Sequence, residues 1–306
     1  MKGGAKLMKE KIEQLKKEKN AVILAHFYVP DEIQEIADYV GDSYYLSKVA
    51  KNTQAEIIVF CGVSFMGESA AIMNPDKKVL MPDLNADCAM AHMVDIDRIR
   101  ELRDRYEDLA VVCYINSTAE IKKHSDVCVT SANAVKVVKN LPSRNIFFIP
   151  DGNLGQYVKE QVPEKNIILN NGYCPIHAAI TREEVLEVKE RYPKAKFLVH
   201  PECKKEVLDE ADYIGSTSGI IDFVGKDAGQ EYIIGTEIGV LCELKKRNPE
   251  KMYHTLRNDM ICADMKQVTL QKIRFVLENE SNEITVSEET RKSALVPLEK
   301  MLEIAR

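Results

Sequence analysis

Six short runs of apolar, largely β-branched residues punctuate the chain: AVILA at 21–25, EIIVF at 56–60, AVVCYI at 110–115, NIFFI at 145–149, AKFLVH at 195–200 and EYIIG at 231–235. Amphipathic stretches with apolar positions at helical spacing separate them. Nearly continuous apolar runs of this length are what parallel strands buried on both faces require, and their alternation with helices predicts an α/β fold.

The pattern also repeats. Pro75-Asp76-Lys77 returns as Pro163-Glu164-Lys165 and as Pro249-Glu250-Lys251, at spacings of 88 and 86 residues. In that register His26 aligns with Tyr114 and His200, and Ser43 with Ser131 and Thr217. Cys88 aligns with Cys174 and Cys262, here 86 and 88 residues apart. Self-similarity at a fixed period marks repeated structural units. We expect three small α/β units at 1–93, 94–178 and 179–266 around a pseudo-threefold axis, with the active site at their junction. The amphipathic stretches in 267–306 are expected to form C-terminal helices that pack back on the first unit.

Composition narrows the setting. A chain of 306 residues can hold several proper cores. The opening MKGGAKLMKEKIEQLKKEKN lacks the apolar stretch of an export signal, and no run reaches membrane-spanning length, so a cytoplasmic, membrane-free protein is expected. A net charge of −6 without a dense Lys/Arg block argues against nucleic acid as a partner. Eight cysteines in a reducing compartment point to metal binding or chemistry rather than disulfides.

The repeat sorts those cysteines. Cys88, Cys174 and Cys262 each follow the strand after a Pro-acid-Lys turn, so a threefold arrangement brings three thiols to one point. Cys61, Cys113 and Cys128 lie in apolar strand runs and read as core, Cys242 reads as helix packing, and Cys203 as a neighbour of the pocket. Three thiolates without a fourth ligand or C-x2-C spacing fit an iron–sulfur cluster better than structural zinc. Ser43, Ser131 and Thr217 each precede a helical stretch, where a hydroxyl can cap the helix, and such an end can also hold an anion. Polar pairs stand at three equivalent strand exits: His26 and Tyr28, Tyr114 and Asn116, His200 and Glu202. Ligands bind at the carboxyl ends of parallel strands, so these are substrate candidates. His177 is a weaker candidate, and His92, His124 and His254 read as structural or exposed.

The segments ILAHFY, IADYVGDS, FMGESAAIMNPDKKV, DCAMAHM, YINSTAEIK, TSANAV, NGYCPIH, HPEC, GSTSG, GTEIG and CADMK, in order over about residues 20–270, resemble the quinolinate synthase family. The resemblance implies a transferase of NAD biosynthesis that condenses iminoaspartate with dihydroxyacetone phosphate to quinolinate, phosphate and water. It implies one 4Fe–4S cluster on Cys88, Cys174 and Cys262, whose open iron acts as a Lewis acid. It further implies substrate contacts from His26, Ser43, Tyr114, Asn116, Ser131, His200, Glu202 and Thr217; Tyr28, at the same strand exit as His26, is expected beside them, and Glu202, helped by His200 and Tyr114, is expected to move protons. An L-aspartate oxidase or dehydrogenase is the expected supplier of iminoaspartate. The sequence departs from the family pattern at Phe27, Ser64 and Tyr173, which bears on the pocket wall and the surroundings of the cluster. The alternatives are an iron–sulfur dehydratase of another hydroxy acid and a non-catalytic anion-binding metalloprotein.

Overall fold

A computed structural model describes residues 2–305 of the chain. Strands β1 (Ala21–His26), β2 (Tyr39–Gly41), β3 (Ile57–Cys61) and β4 (Lys78–Leu80) form one sheet in the order β2-β1-β3-β4. Strands β5 (Leu109–Tyr114), β6 (Val127–Val129), β7 (Asn145–Ile149) and β8 (Asn166–Leu169) repeat that order as β6-β5-β7-β8. Strands β9 (Lys196–Val199), β10 (Tyr213–Ile214), β11 (Glu231–Gly235) and β12 (Met252–Thr255) do so again as β10-β9-β11-β12. All pairings are parallel, and the registers coincide: Ala25 faces Val40, Cys113 faces Cys128 and Val199 faces Ile214. The fold is therefore α/β with three similar units, as the repeat predicts. The central strands are buried along nearly their whole length, and this explains their unbroken apolar runs.

Two devices recur at the rear of each sheet. Asp38, Asp126 and Asp212 accept the backbone N–H of Ile23, Val111 and Phe197 at 2.8, 2.7 and 2.7 Å. Their own N–H groups donate back to the carbonyls of the same residues, so each carboxylate extends the ladder to the start of a short edge strand. The Pro-acid-Lys motif also finds its explanation. Lys77 donates to the carbonyl of Thr53, Lys165 to Leu141 and Ser143 at 2.6 and 2.8 Å, and Lys251 to Val224 and Asp227 at 2.5 and 2.8 Å. Thr53, Leu141 and Asp227 are the C-caps of helices Ser43–Asn52, Ala134–Asn140 and Thr217–Lys226. A cation there meets unpaired carbonyls and the negative end of the helix dipole. The motif is structural, and its chemistry is the same three times.

Units one and two share one continuous core, and the third has two further apolar clusters, one of which takes in Phe27 of the first. Helix Leu270–Asn279 packs on helix Lys2–Glu18 of the first unit. Helix Glu288–Ile304 lies against helix Ala119–Lys123 and β6 of the second unit and reaches helix Ser64–Met73 of the first. No helix among the described residues is long and apolar enough to cross a membrane.

Lys165→Met tests the capping lysine. It should cost about 1–2 kcal/mol of stability in urea unfolding, because two half-buried carbonyls lose their donor. Turnover should be unaffected, since the lysine lies at the closed rear of its sheet.

Candidate functional site

At the other end of the sheets, residues following equivalent strands of all three units line one cavity with an empty volume of ≈ 710 Å³. His26, Tyr28, Ser43 and Cys88 come from the first unit, Tyr114, Asn116, Ser131 and Cys174 from the second, and His200, Glu202, Thr217 and Cys262 from the third. Every residue expected at the site from sequence therefore lies on its wall. Parallel pairing puts all carboxyl ends of a sheet on one side, and three sheets facing inward bring those ends together.

The two strand-exit histidines are held in the same way. His26 Nδ1 accepts the N–H of Tyr28 at 3.2 Å, and His200 Nδ1 accepts that of Glu202 at 3.3 Å. This leaves the proton on Nε2 of each ring, the nitrogen that reaches Ser131 Oγ at 3.2 Å in His200. Burial, with the nearby His200 charge, lowers His26 to about 3. Burial also lowers His200 to about 4 against the opposing pull of Glu202. Both rings are neutral N–H donors at neutral pH.

The hydroxyls are free for other work than capping. Helix Ser43–Asn52 is capped by Asp42, which accepts from Tyr45 N, and helix Thr217–Lys226 by Ser216, which accepts from Gly219 N. Each cap stands one residue before the hydroxyl that the repeat singled out. In the second unit the helix starts only at Ala134, which leaves Ser131 in the turn before it.

Glu202 is the charge centre, with 3% of its surface exposed. Its Oε1 accepts from Tyr114 Oη at 2.6 Å, and its Oε2 lies 2.6 Å from His177 Nδ1. Burial pushes the carboxyl up, but His200, His177 and the Tyr114 hydroxyl outweigh it and hold Glu202 below the usual carboxylate range. His177 Nε2 bonds Thr236 Oγ1 at 2.8 Å, Thr236 bonds Tyr28 Oη at 2.9 Å, and Tyr28 bonds Thr217 Oγ1 at 2.8 Å. An unbroken hydrogen-bonded chain thus links the three units from Tyr114 to Thr217. Asn116 Oδ1 is buried without a hydrogen-bond partner.

The thiols suit a metal centre. Backbone N–H groups of Met90 and Ala91 point at the Cys88 sulfur, that of His177 at Cys174, and those of Asp264 and Met265 at Cys262. Such donors favour sulfur anions. Burial nevertheless pushes Cys88 up to about 12, and Cys262 adds to this shift, as Cys88 does for Cys174. Three half-buried sulfurs that repel one another as thiolates ionise together only around a cation, so the donor set fits a thiolate-held cluster. Cys174, His177 and Glu202 also place one ligand atom each within 4.8 Å of one another. Both His177 nitrogens are already engaged, with Glu202 and Thr236, so this trio reads as a hydrogen-bond network.

The other cysteines stay out of the cavity. Cys61, Cys113 and Cys128 are fully buried core, Cys242 is half-buried on a helix, and Cys203 packs in an apolar cluster of the third unit. Phe27 is not on the cavity wall, where departures from the family pattern were expected to act. It is buried against Leu198, Ile220 and Val240 of the third unit. Tyr173 is largely exposed, and Ser64 donates to Asp87 beside Cys88.

Sequence reasoning missed Asp42 and Glu237 on the wall and Asp151, Thr236 and Lys266 behind it, and it undervalued His177. Asp151 and Glu237 stand 86 residues apart in the repeat register, a signal obscured because their first-unit counterpart is Val63.

Three α/β units close a thiol-lined cavity around the buried Glu202, the arrangement of a small-molecule site at the carboxyl ends of parallel strands. Residues 10–303 match the family model described as Quinolinate synthetase A protein. A quinolinate synthase of Fusobacterium nucleatum is 54% identical over 97% of this chain and 99% of its own length. The quinolinate synthases of Clostridioides difficile and Caldicellulosiruptor saccharolyticus are 52% and 51% identical, over 96% and 97% of this chain and 97% and 98% of their own. The chain belongs to the quinolinate synthase family.

The buried histidines give a pH signature. Their folded values, about 3 and about 4, lie below the ordinary 6.5, so the unfolded chain binds more protons between. Stability is full above about pH 6.5 and lost as pH falls toward 4, and Glu202, also held low, adds the same sign further down. Urea unfolding of the metal-free protein should lose about 2 kcal/mol or more between pH 7 and pH 4. His200→Gln should flatten that slope; an unchanged slope would mean His200 is already charged in the folded state.

Proposed function

We propose that this cavity condenses iminoaspartate with dihydroxyacetone phosphate to form quinolinate, with release of phosphate and water, on the route to NAD. The supporting observation is the meeting of twelve repeat-selected residues from three units on one wall, with N–H donors aimed at all three thiols. Cys88, Cys174 and Cys262 would hold a 4Fe–4S cluster. When bound, that cluster supplies an open iron as Lewis acid for a substrate oxygen.

The chain's own residues supply the rest. The N-terminal ends of helices Ser43–Asn52 and Thr217–Lys226, with the Ser43 hydroxyl and the Thr217 hydroxyl that Tyr28 orients, take the carboxylate and phosphate ends of the substrates. His26 and His200 donate from neutral Nε2 to substrate oxygens, a role that needs no proton loss. Asn116 Oδ1 accepts from a substrate N–H or O–H and so gains the partner it lacks. Glu202 is already bonded on both oxygens, so a proton leaving the substrate passes to the Glu202–His177 pair rather than to an isolated carboxylate. Tyr114 passes its hydroxyl proton to the leaving hydroxyl and takes in exchange the proton that Glu202 has gained, so it ends neutral. The interior of the cavity keeps bulk water from the imine, which water would hydrolyse. An enzyme that oxidises L-aspartate must supply that imine, and the cytoplasm is the setting this chemistry implies.

Anaerobic reconstitution with iron and sulfide, followed by assay with iminoaspartate and dihydroxyacetone phosphate, tests the proposal. Cys88→Ala, Cys174→Ala and Cys262→Ala should each lose most iron and all turnover. Cys61→Ala, Cys113→Ala, Cys128→Ala and Cys242→Ala should keep iron, at about 1–3 kcal/mol of stability where buried. A colourless zinc protein would favour the anion-binding reading, and a brown protein inactive on these substrates the dehydratase reading.

Within the same assay, Glu202→Gln should keep the cluster and lose at least about a hundredfold in kcat, since the amide cannot exchange the proton. Asn116→Ala should raise KM with full iron content. Loss of iron in either variant would make these residues structural supports of the cluster.

A further inference from the structure

Each of the three cavity cysteines is fixed at its backbone as well as aimed at its sulfur. Cys88 N–H donates to Asp87 Oδ1 at 2.7 Å, Cys174 N–H to Asp151 Oδ2 at 3.2 Å, and Cys262 N–H to Glu237 Oε1 at 3.2 Å. We infer that Asp87, Asp151 and Glu237 are positioning residues that preset the three cysteine loops for the cluster; this rests on Cys88, Cys174 and Cys262 being its ligands.

The three acidic side chains are held in the frame at or behind the wall, two of them buried. Asp151 is fully buried just past the end of β7, and its other oxygen accepts Leu154 N–H at 2.8 Å, capping helix Gly152–Gln161. Glu237, 1% exposed and just past β11, accepts Gly239 N–H at 2.6 Å and pairs with Lys266 Nζ at 2.9 Å. Lys266 itself donates to the carbonyl of Tyr28 at 2.5 Å, tying the Cys262 loop to the first unit. Asp151 and Glu237 occupy one repeat position, and Val63 takes it in the first unit. There Asp87 supplies the acceptor instead, held by the hydroxyl of Ser64 and by His92 Nε2 at 2.7 Å.

The same acceptor is thus delivered to the same N–H in all three loops, twice from a shared position and once by a local replacement. A loop whose N–H is pinned keeps its sulfur in one place when the metal is absent. A pinned ligand also loses less freedom on binding metal.

The readout is iron release to a chelator from anaerobically reconstituted protein, followed in the visible band. Asp151→Ala, Glu237→Ala and Asp87→Ala should take up iron and sulfide and release them about tenfold faster or more than wild type. Asp151→Asn, Glu237→Gln and Asp87→Asn keep an oxygen acceptor and should stay within about threefold of wild type. Asp87 is part-exposed, so its alanine variant folds even where the buried ones do not. Thr269→Ala removes the N-cap of helix Leu270–Asn279 away from the cavity and controls for lost stability alone. Wild-type release rates in the alanine variants, or equally fast release from Thr269→Ala, would overturn the inference. Failure of wild type to take up iron would instead overturn the ligand assignment itself.

Discussion

A carboxylate taken out of water must be met by donors, and Glu202 is the buried charge around which this cavity is assembled. It stands at the exit of β9 in the third unit, but its donors, Tyr114 and His177, belong to the second. From His177 the network continues through Thr236 to Tyr28 of the first unit. Satisfying that charge joins the second and third units, and the network that orients His177 brings in the first. Its negative potential is felt throughout the site, raising Tyr28, Tyr114, Cys88 and Cys174. Each of these groups is kept protonated by burial first and by Glu202 second. A cation among the thiols reverses that balance locally and leaves the tyrosines as proton donors.

The three units are alike at the back and different at the front. At the back, aspartates at 38, 126 and 212 and lysines at 77, 165 and 251 make the same hydrogen bonds in each copy. At the mouth, equivalent positions carry His26, Tyr114 and His200, then Tyr28, Asn116 and Glu202. Three carboxylates at the second position would repel one another in a low dielectric; one carboxylate with a tyrosine and an amide does not. Asymmetric substrates need this: a symmetric frame supplies rigidity, and differing side chains supply direction.

The fold class and most of the side chains that line the cavity are legible in the sequence. Parallel strands buried on both faces must be apolar along their length, so they stand out, and a repeat of 86 to 88 residues marks positions that threefold packing makes neighbours. The cysteine sorting followed from the same register. What the chain did not display is anything set by contact across units. Phe27 looked like a wall residue from its place beside His26, yet its side chain turns into the third unit's core, because successive residues leaving a strand point to opposite faces. The hydroxyls at 43 and 217 looked like caps until Asp42 and Ser216 were seen to take that role one residue earlier. His177 was ambiguous at three residues past Cys174, and only its approach to Glu202, 25 positions on, decides its part. Local periodicity and register follow from backbone geometry and so are written in sequence. Hydrogen bonds between units depend on how three sheets close on one another, and that closure exists only in the folded molecule.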